Sequence, residues 1–318
     1  MLSQKQLAVL PAHNIFLHAK AQAVNKNISV IISKPVKAPF LFDSLVLSVC
    51  AKLDKGGAVL AQAAVKTDKG WSGFYKLFYI SRDYKKTFSA QNDAFAKTDI
   101  DTIIPKGKAQ YFKYQITILG KAKISNICAA LTRAGAKYDE SLALETLDLK
   151  DFVLPVKPVL RTQIKDKKLA ARICSPAALT AVLNYHGAKT NLPQVMKGVY
   201  DENAKIYGAW PLNTAYAAQL GFKTAVVRCS SLAQAEGEIL QARPLIASIA
   251  YKKGQLKNAP VAQTAGHLVV IAGFDKNGNI LAADSAAKTP VLHVYERRQF
   301  ARAWIKNKKG LAYAVQKI

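Results

Sequence analysis

The sequence predicts an α+β protein: an antiparallel β-sandwich, then a domain in which helices precede an antiparallel sheet. Three observations carry this. Residues 40–131 alternate apolar and polar side chains in short runs; beyond Asp151 the spacing becomes helical and later returns to strands; and 318 residues, half of them hydrophobic, suffice for two cores without disulfides or metal.

In the first half, turn residues separate five expected strands, at 41–52, 58–66, 73–80, 108–119 and 124–131. The run Tyr111-Phe112-Lys113-Tyr114-Gln115-Ile116-Thr117-Ile118 alternates as a strand with one wet face does. The preceding segment adds a strand near Ile28–Ile32. Between 136 and 157 the pattern weakens, and Pro155 and Pro158 stiffen what reads as a linker. The boundary is therefore set near Asp151, giving a β-sandwich accessory domain at 1–150 and a second domain at 151–318.

In the second half, Ala178, Leu179, Val182 and Leu183 recur at helical spacing within 175–185. Pro176 is tolerated in a first turn, and Gly187 stands where a helix stops. Further helices are expected at 192–200, 211–220 and 232–241. Strands are expected at 224–228, 244–251, 267–274, 280–283 and 291–295.

Lys and Arg exceed Asp and Glu by 26, with 11 of the excess before Asp151 and 15 from there on, so no basic tail accounts for it. Such a charge attracts polyanions in general, including anionic wall or surface polymers. No nucleic-acid motif accompanies it, so specific nucleic-acid binding is not expected. No apolar run approaches the roughly 18 residues of a membrane span. The N-terminus lacks a leader pattern, which suits an intracellular protein or a mature form. Cys50, Cys128, Cys174 and Cys229 have neither CxxC spacing nor a nearby His, which argues against zinc and against a disulfide framework; no cofactor is expected.

Cys174 stands apart because it opens the apolar helix. A thiol there meets the positive end of the macrodipole and unpaired N–H groups, both of which favour thiolate. Gly266-His267 opens a strand 93 residues later and supplies a candidate base. Asp284, 17 residues beyond His267, is the candidate orienter, because the turn signal Asp275-Lys276-Asn277-Gly278-Asn279 lies midway. A two-residue turn centred on Asn277-Gly278 would pair Asp284 with Ile271, too far from His267. A longer turn, or a bulge such as one at Gly273, closes the triad. The Cys174 N–H and the Gln163 amide are the candidate oxyanion donors, and Trp210 and Gly266 the candidate cleft residues. Cys50, Cys128 and Cys229 read as core thiols. His186 reads as a helix C-terminal residue, and His13, His18 and His293 as structural.

Residues 161–304 resemble the bacteriocin-processing (double-glycine leader peptidase-like) branch of the papain-like cysteine peptidases. The matching stretches are Arg161-Thr162-Gln163, Cys174-Ser175-Pro176, Leu183-Asn184-Tyr185-His186-Gly187, Ile206-Tyr207-Gly208-Ala209-Trp210-Pro211-Leu212-Asn213, Gly266-His267-Leu268-Val269-Val270-Ile271-Ala272-Gly273-Phe274 and Asp284-Ser285-Ala286. The resemblance implies a papain-like fold and hydrolysis of a peptide or protein substrate through an acyl-thioester. Gln163, Cys174, His267 and Asp284 then take the family roles, and the β-rich half is an accessory module of an exported or cell-surface protein. Ala177 stands where a hydroxyl residue is common, Ser285 where Pro usually follows the acid, and Gln163 lies 11 residues before Cys174, further than in shorter-loop relatives. No GxxxxGK[ST] loop is present, so a stand-alone hydrolase is expected, with leader peptides a poor fit as substrates. The competing reading is a catalytically inactive papain-like binding or adhesion protein anchored to anionic polymer.

Overall fold

A computed structural model describes residues 13–17 and 22–317. Within it the chain packs as two compact units, one formed by Ala12–Ala136 with Gly198–Val226, the other chiefly by Lys137–Lys197 with Val227–Gln316.

The first unit is a large antiparallel sheet of twelve strands. The five long ones, Val36–Leu53, Ala58–Thr67, Tyr75–Ser81, Ala109–Leu119 and Ala122–Arg133, lie where alternation predicts them. Strand Ile28–Ile32 is present, and six shorter strands complete the sheet. In Ala109–Leu119 the even-numbered residues from Phe112 to Ile118 are buried while their odd-numbered neighbours reach the surface. In Val36–Leu53, by contrast, residues 45–51 are buried on both faces. Helix Trp210–Gln219 packs against this strand, and its Leu212 and Ala215 join the sheet's core.

That packing corrects the expected division of the chain. Residues 198–226 read as part of the second domain, yet they fold into the first unit. Asp201 accepts from the Thr87 N–H at 3.1 Å and its hydroxyl at 2.5 Å, and Asp101 accepts from the Trp210 N–H at 2.8 Å. Helical spacing shows that a face will be buried, not which core will bury it. By packing, the second unit takes up the chain from Lys137 on. The stretch read as a linker holds a short helix, Glu140–Ala143, capped by the Asp139 carboxylate. It is tied down by Thr146, whose hydroxyl donates to the buried Glu236 at 3.0 Å.

In the second unit the antiparallel strand order is Leu311–Lys317, Leu245–Tyr251, Thr264–Phe274, Ile280–Ala283 and His293–Tyr295. The two-residue strand Phe152–Val153 pairs with Phe274 and Gly273. Helix Cys174–Tyr185 packs against strands Thr264–Phe274 and Leu245–Tyr251. Its residues 175–183 are all buried, so it is a central helix surrounded by protein and not an amphipathic one on the surface. Gly187, at φ +91°, ends it with a backbone conformation that other residues adopt only under strain. The closing helix Arg297–Ala301, its π-helical continuation Arg302–Lys306 and strand Leu311–Lys317 were not anticipated. Among the described residues no helix is long and apolar enough to cross a membrane. His18 and the start of the chain lie outside the described residues.

Candidate active site

Cys174 is the first residue of the central helix, and no side chain caps that helix: the preceding residue is Ile173, and Pro176 in the first turn has no N–H. The positive end of the helix is thereby left to act on the thiol. Cys174 is half-buried, whereas Cys50, Cys128 and Cys229 are buried; all four are free thiols. Burial pushes the Cys128 and Cys229 thiols far above their ordinary range, as expected of inert core residues.

His267 is 3 % exposed and lies in strand Thr264–Phe274, opposite Ile249. The pairing with Ile280–Ala283 runs Phe274 to Ile280 and Gly273 to Leu281, then shifts so that Ile271 faces Ala282 and Val270 faces Ala283. The turn is longer than two residues, and the irregularity falls at Ala272, one residue before the Gly273 position expected for a bulge. Continuing the shifted register sets Asp284 level with Val269, two residues from His267 on the same face and within side-chain reach. His267 Nε2 donates to Asp284 Oδ1 at 2.8 Å. Gly273, where the bulge was expected, lies one residue beyond it and is needed for a different reason. A Cβ on it would stand 2.2 Å from the Phe152 carbonyl oxygen of the adjoining short strand.

Asp284 is fully buried and accepts two further hydrogen bonds, from the Ala286 N–H to Oδ1 at 2.7 Å and from the Tyr295 hydroxyl to Oδ2 at 2.6 Å. Burial favours its neutral form, but His267, Tyr295 and Ala286 outweigh this and hold the carboxyl down at about 2. His267 feels the opposite balance. Burial disfavours its charged form, while Asp284 on one side and Cys174 on the other raise it to about 10. With Nε2 committed to Asp284, Nδ1 is the nitrogen left for Cys174. The Cys174 thiol is raised by burial, yet the His267 hydrogen bond and charge, the Leu268 N–H and the charge of Arg161 bring it below its usual value. The arrangement stabilises a thiolate–imidazolium pair, the species a thiol acyl transfer begins from.

Gln163 ends a 3₁₀ turn, Arg161–Gln163, bound to the loop after Asp284. The Arg161 N–H donates to the Ser285 carbonyl at 2.9 Å, and the Thr162 hydroxyl to the Ala287 carbonyl at 2.8 Å. The Gln163 residue itself is exposed. Gly266 is exposed at the start of the histidine strand, beside Lys308, whose Nζ donates to the Ala265 carbonyl at 3.3 Å. A Cβ on Gly266 would meet only that flexible Nζ, at 3.8 Å, so no steric demand fixes a glycine there. Trp210 is not brought to the triad within one unit: it is half-buried at the start of its helix, in the β-rich unit. His186 lies at the helix C-terminus with Nε2 3.1 Å from the Val315 carbonyl.

Four contributors were missed from sequence: Tyr295, the charge of Arg161, the Ala286 N–H and the Leu268 N–H. Tyr295 falls within a segment correctly expected to be a strand, and the signal available was a lone hydroxyl-bearing aromatic. Among the described residues no group of three or more His, Cys, Asp or Glu side chains gathers as a metal site.

The family model described as "Peptidase_C39 like family" matches residues 153–311, half of the chain. The chain belongs to that family. The match runs through 198–226, although those residues pack in the β-rich unit. No curated protein matches the chain. Among solved structures, the chain is similar to the peptidase domain of Streptococcus ComA, a bi-functional ABC transporter involved in a quorum sensing pathway (18 % identity, TM-score 0.37, covering 51 % of this chain and 99 % of that one). It is also similar to a double glycine motif protease from an AMS/PCAT transporter, in complex with the leader peptide (15 %, 0.35, 54 % and 97 %). A third is a putative C39-like peptidase from Bacillus anthracis (15 %, 0.37, 51 % and 98 %).

Proposed function

We propose that this chain is a cysteine peptidase that hydrolyses peptide bonds through a thioester on Cys174. The observation that carries the reading is His267, buried between the Cys174 thiol and the Asp284 carboxylate, with Nε2 held at 2.8 Å by the acid. Thiolate Sγ attacks the scissile carbonyl carbon. As the C–N bond breaks, the imidazolium gives its Nδ1 proton to the leaving amine. Water then attacks the thioester, His267 takes a proton from it, and the acid product leaves with the thiolate–imidazolium pair restored. Asp284 keeps Nε2 protonated, so the ring turns Nδ1 toward sulfur and its positive charge is stabilised. The Cys174 N–H and the Gln163 side chain are the proposed oxyanion donors.

The substrate class is a peptide or protein, with Gly266 at the rim of the cleft. In this reading the β-rich unit is an accessory module with the layering of a sandwich. Strand Val36–Leu53 supports that layering: it pairs with Ala109–Leu119 near its start and with Ala122–Arg133 along the rest, so it passes from one set of partners to another. The test is hydrolysis of a peptide library by the wild type and by Cys174→Ala, with mass spectrometry for a thioester on Cys174. Cleavage lost in the variant supports the proposal; cleavage that persists rejects Cys174 as the nucleophile, and a wild type that cleaves nothing favours an inactive binding protein.

A further inference from the structure

The outward face of the β-rich sheet carries a second pattern, independent of the thiol chemistry. Strands Ala58–Thr67 and Ala109–Leu119 pair so that Lys66 faces Tyr111, Ala64 faces Lys113, Gln62 faces Gln115 and Leu60 faces Thr117. The neighbouring strand sets Tyr79 beside Leu60 and Lys76 beside Gln62, and Lys86 lies beside Tyr79 in turn. At each end of this face lysines stand over aromatic rings. Lys113 Nζ is 4.3 Å from the Trp71 ring centroid and Lys66 is 5.9 Å from Tyr111. Lys86 is 4.8 Å from Phe88 and 5.8 Å from Tyr84. None of these three lysines is ion-paired among the described residues, and none of the facing residues just named is acidic.

Each end is also concave. One hollow, of about 560 Å³, is lined by Lys66, Lys69, Lys106, Lys108 and Tyr111, with Asp68 as its one carboxylate. The other, of about 540 Å³, is lined by Tyr79, Tyr84, Lys86 and Phe88 with Lys76. Between them lie Gln62 and Gln115, their amides 3.2 Å apart, and Thr117 stands at the near rim of the second hollow. Six residues of strand separate Lys66 from Leu60, so the hollows are roughly 20 Å apart. Cations at both ends and amides with a hydroxyl between them match a chain that bears anionic groups at intervals and hydroxyls in between.

We propose that this face binds a linear anionic polysaccharide. The cation–π contacts fix the ammonium groups against the sheet, which lowers the entropy lost when they engage a polyanion. The same contacts occupy ring faces that nucleobases would otherwise stack on, so single-stranded nucleic acid is the poorer fit despite its charge.

The test uses the full chain and polygalacturonate, a linear uronate polymer, with an oligo(dT) 20-mer as the competing class. The triple variant Lys66→Gln, Lys86→Gln, Lys113→Gln keeps most of each aliphatic stem. Lys165→Gln, Lys253→Gln, Lys276→Gln removes the same charge from exposed positions of the other unit. Expected is polygalacturonate binding weakened at least tenfold by the face variant and less than twofold by the control. The dependence of log affinity on log salt should also become shallower by about two to three, in keeping with three lost contacts. Quenching of Trp71 fluorescence by the polymer, absent in Trp71→Phe, reports the same site in an otherwise wild-type chain should the triple variant unfold. Equal losses in both triple variants, no binding of the uronate polymer, or tighter binding of oligo(dT) on this face would each overturn the proposal.

Discussion

Replacing Asp284 by Asn removes a charge while leaving a workable geometry. Oδ1 accepts from His267 Nε2–H and from the Ala286 N–H, and Oδ2 accepts from the Tyr295 hydroxyl. An amide oxygen can keep both N–H donors, and its nitrogen can donate to the Tyr295 oxygen, which accepts as readily as it donates. What disappears is the carboxylate's attraction for the imidazolium, of order 4 kcal/mol at 4 Å and an effective dielectric of 20, before desolvation offsets part of it. A neighbouring opposite charge shifts a pKa by roughly 1–3 units, so His267 should fall from about 10 by that amount. The assay is NMR titration of the His267 ring. In the Asp284→Ala variant three buried donors lose their acceptor, and at least about 3 kcal/mol of stability should go with them. If His267 titrates at the same pH in wild type and Asp284→Asn, or if Asn and Ala destabilise equally, the electrostatic role given to Asp284 is wrong. Stability should follow the sign of the shift. A carboxyl lowered from 3.8 to about 2 contributes about 2 kcal/mol, present above pH 4 and lost as the pH falls through 2. The Asn variant should lack that acid-side slope in urea titrations.

Other expectations are local. Tyr295→Phe removes a donor to a buried carboxylate at 2.6 Å, so urea unfolding should show a loss of about 1.5–3 kcal/mol, with His267 still titrating above its ordinary value. Gly273→Ala drives a Cβ into the Phe152 carbonyl, so amide exchange at Leu154, whose N–H donates to the Ala272 carbonyl at 2.8 Å, should accelerate as that short strand leaves the sheet. Ser285→Ala removes a buried hydroxyl that has no hydrogen-bond partner, so thermal unfolding should show unchanged or slightly raised stability, by up to about 1 kcal/mol. An unchanged midpoint for Tyr295→Phe, or a clear loss for Ser285→Ala, would show that the hydrogen-bond assignments around Asp284 are wrong.

Much of this site was legible because its signals are local. The helix beginning at Cys174, the strand that carries His267 and the turn at 275–279 each announce themselves by spacing and by turn chemistry. Even a longer turn or a bulge could be expected, since a two-residue turn would have left Asp284 out of reach. The pairing of Tyr295 with Asp284 was not legible, because it depends on how strands His293–Tyr295 and Ile280–Ala283 align, and period two fixes only a side chain's face. The same limit explains 198–226. Leu212 and Ala215 signal burial equally well for either core, and the choice is made by long-range packing. The sheet face with its lysine–aromatic pairs was invisible for a related reason: Trp71, Lys113 and Lys86 come from separate strands, and sequence alone reported only net charge.

The most direct measurement is the rate of iodoacetamide alkylation at each cysteine of the folded protein from pH 5 to 9, mapped by mass spectrometry, with His267→Ala alongside. Expected is fast labelling of Cys174 alone at pH 7 and below, because its thiol is held below the ordinary value, with that low-pH reactivity lost in the His267 variant. Cys174 labelling that rises only near an ordinary thiol pKa, or that does not change when His267 is removed, would contradict the thiolate–imidazolium pair.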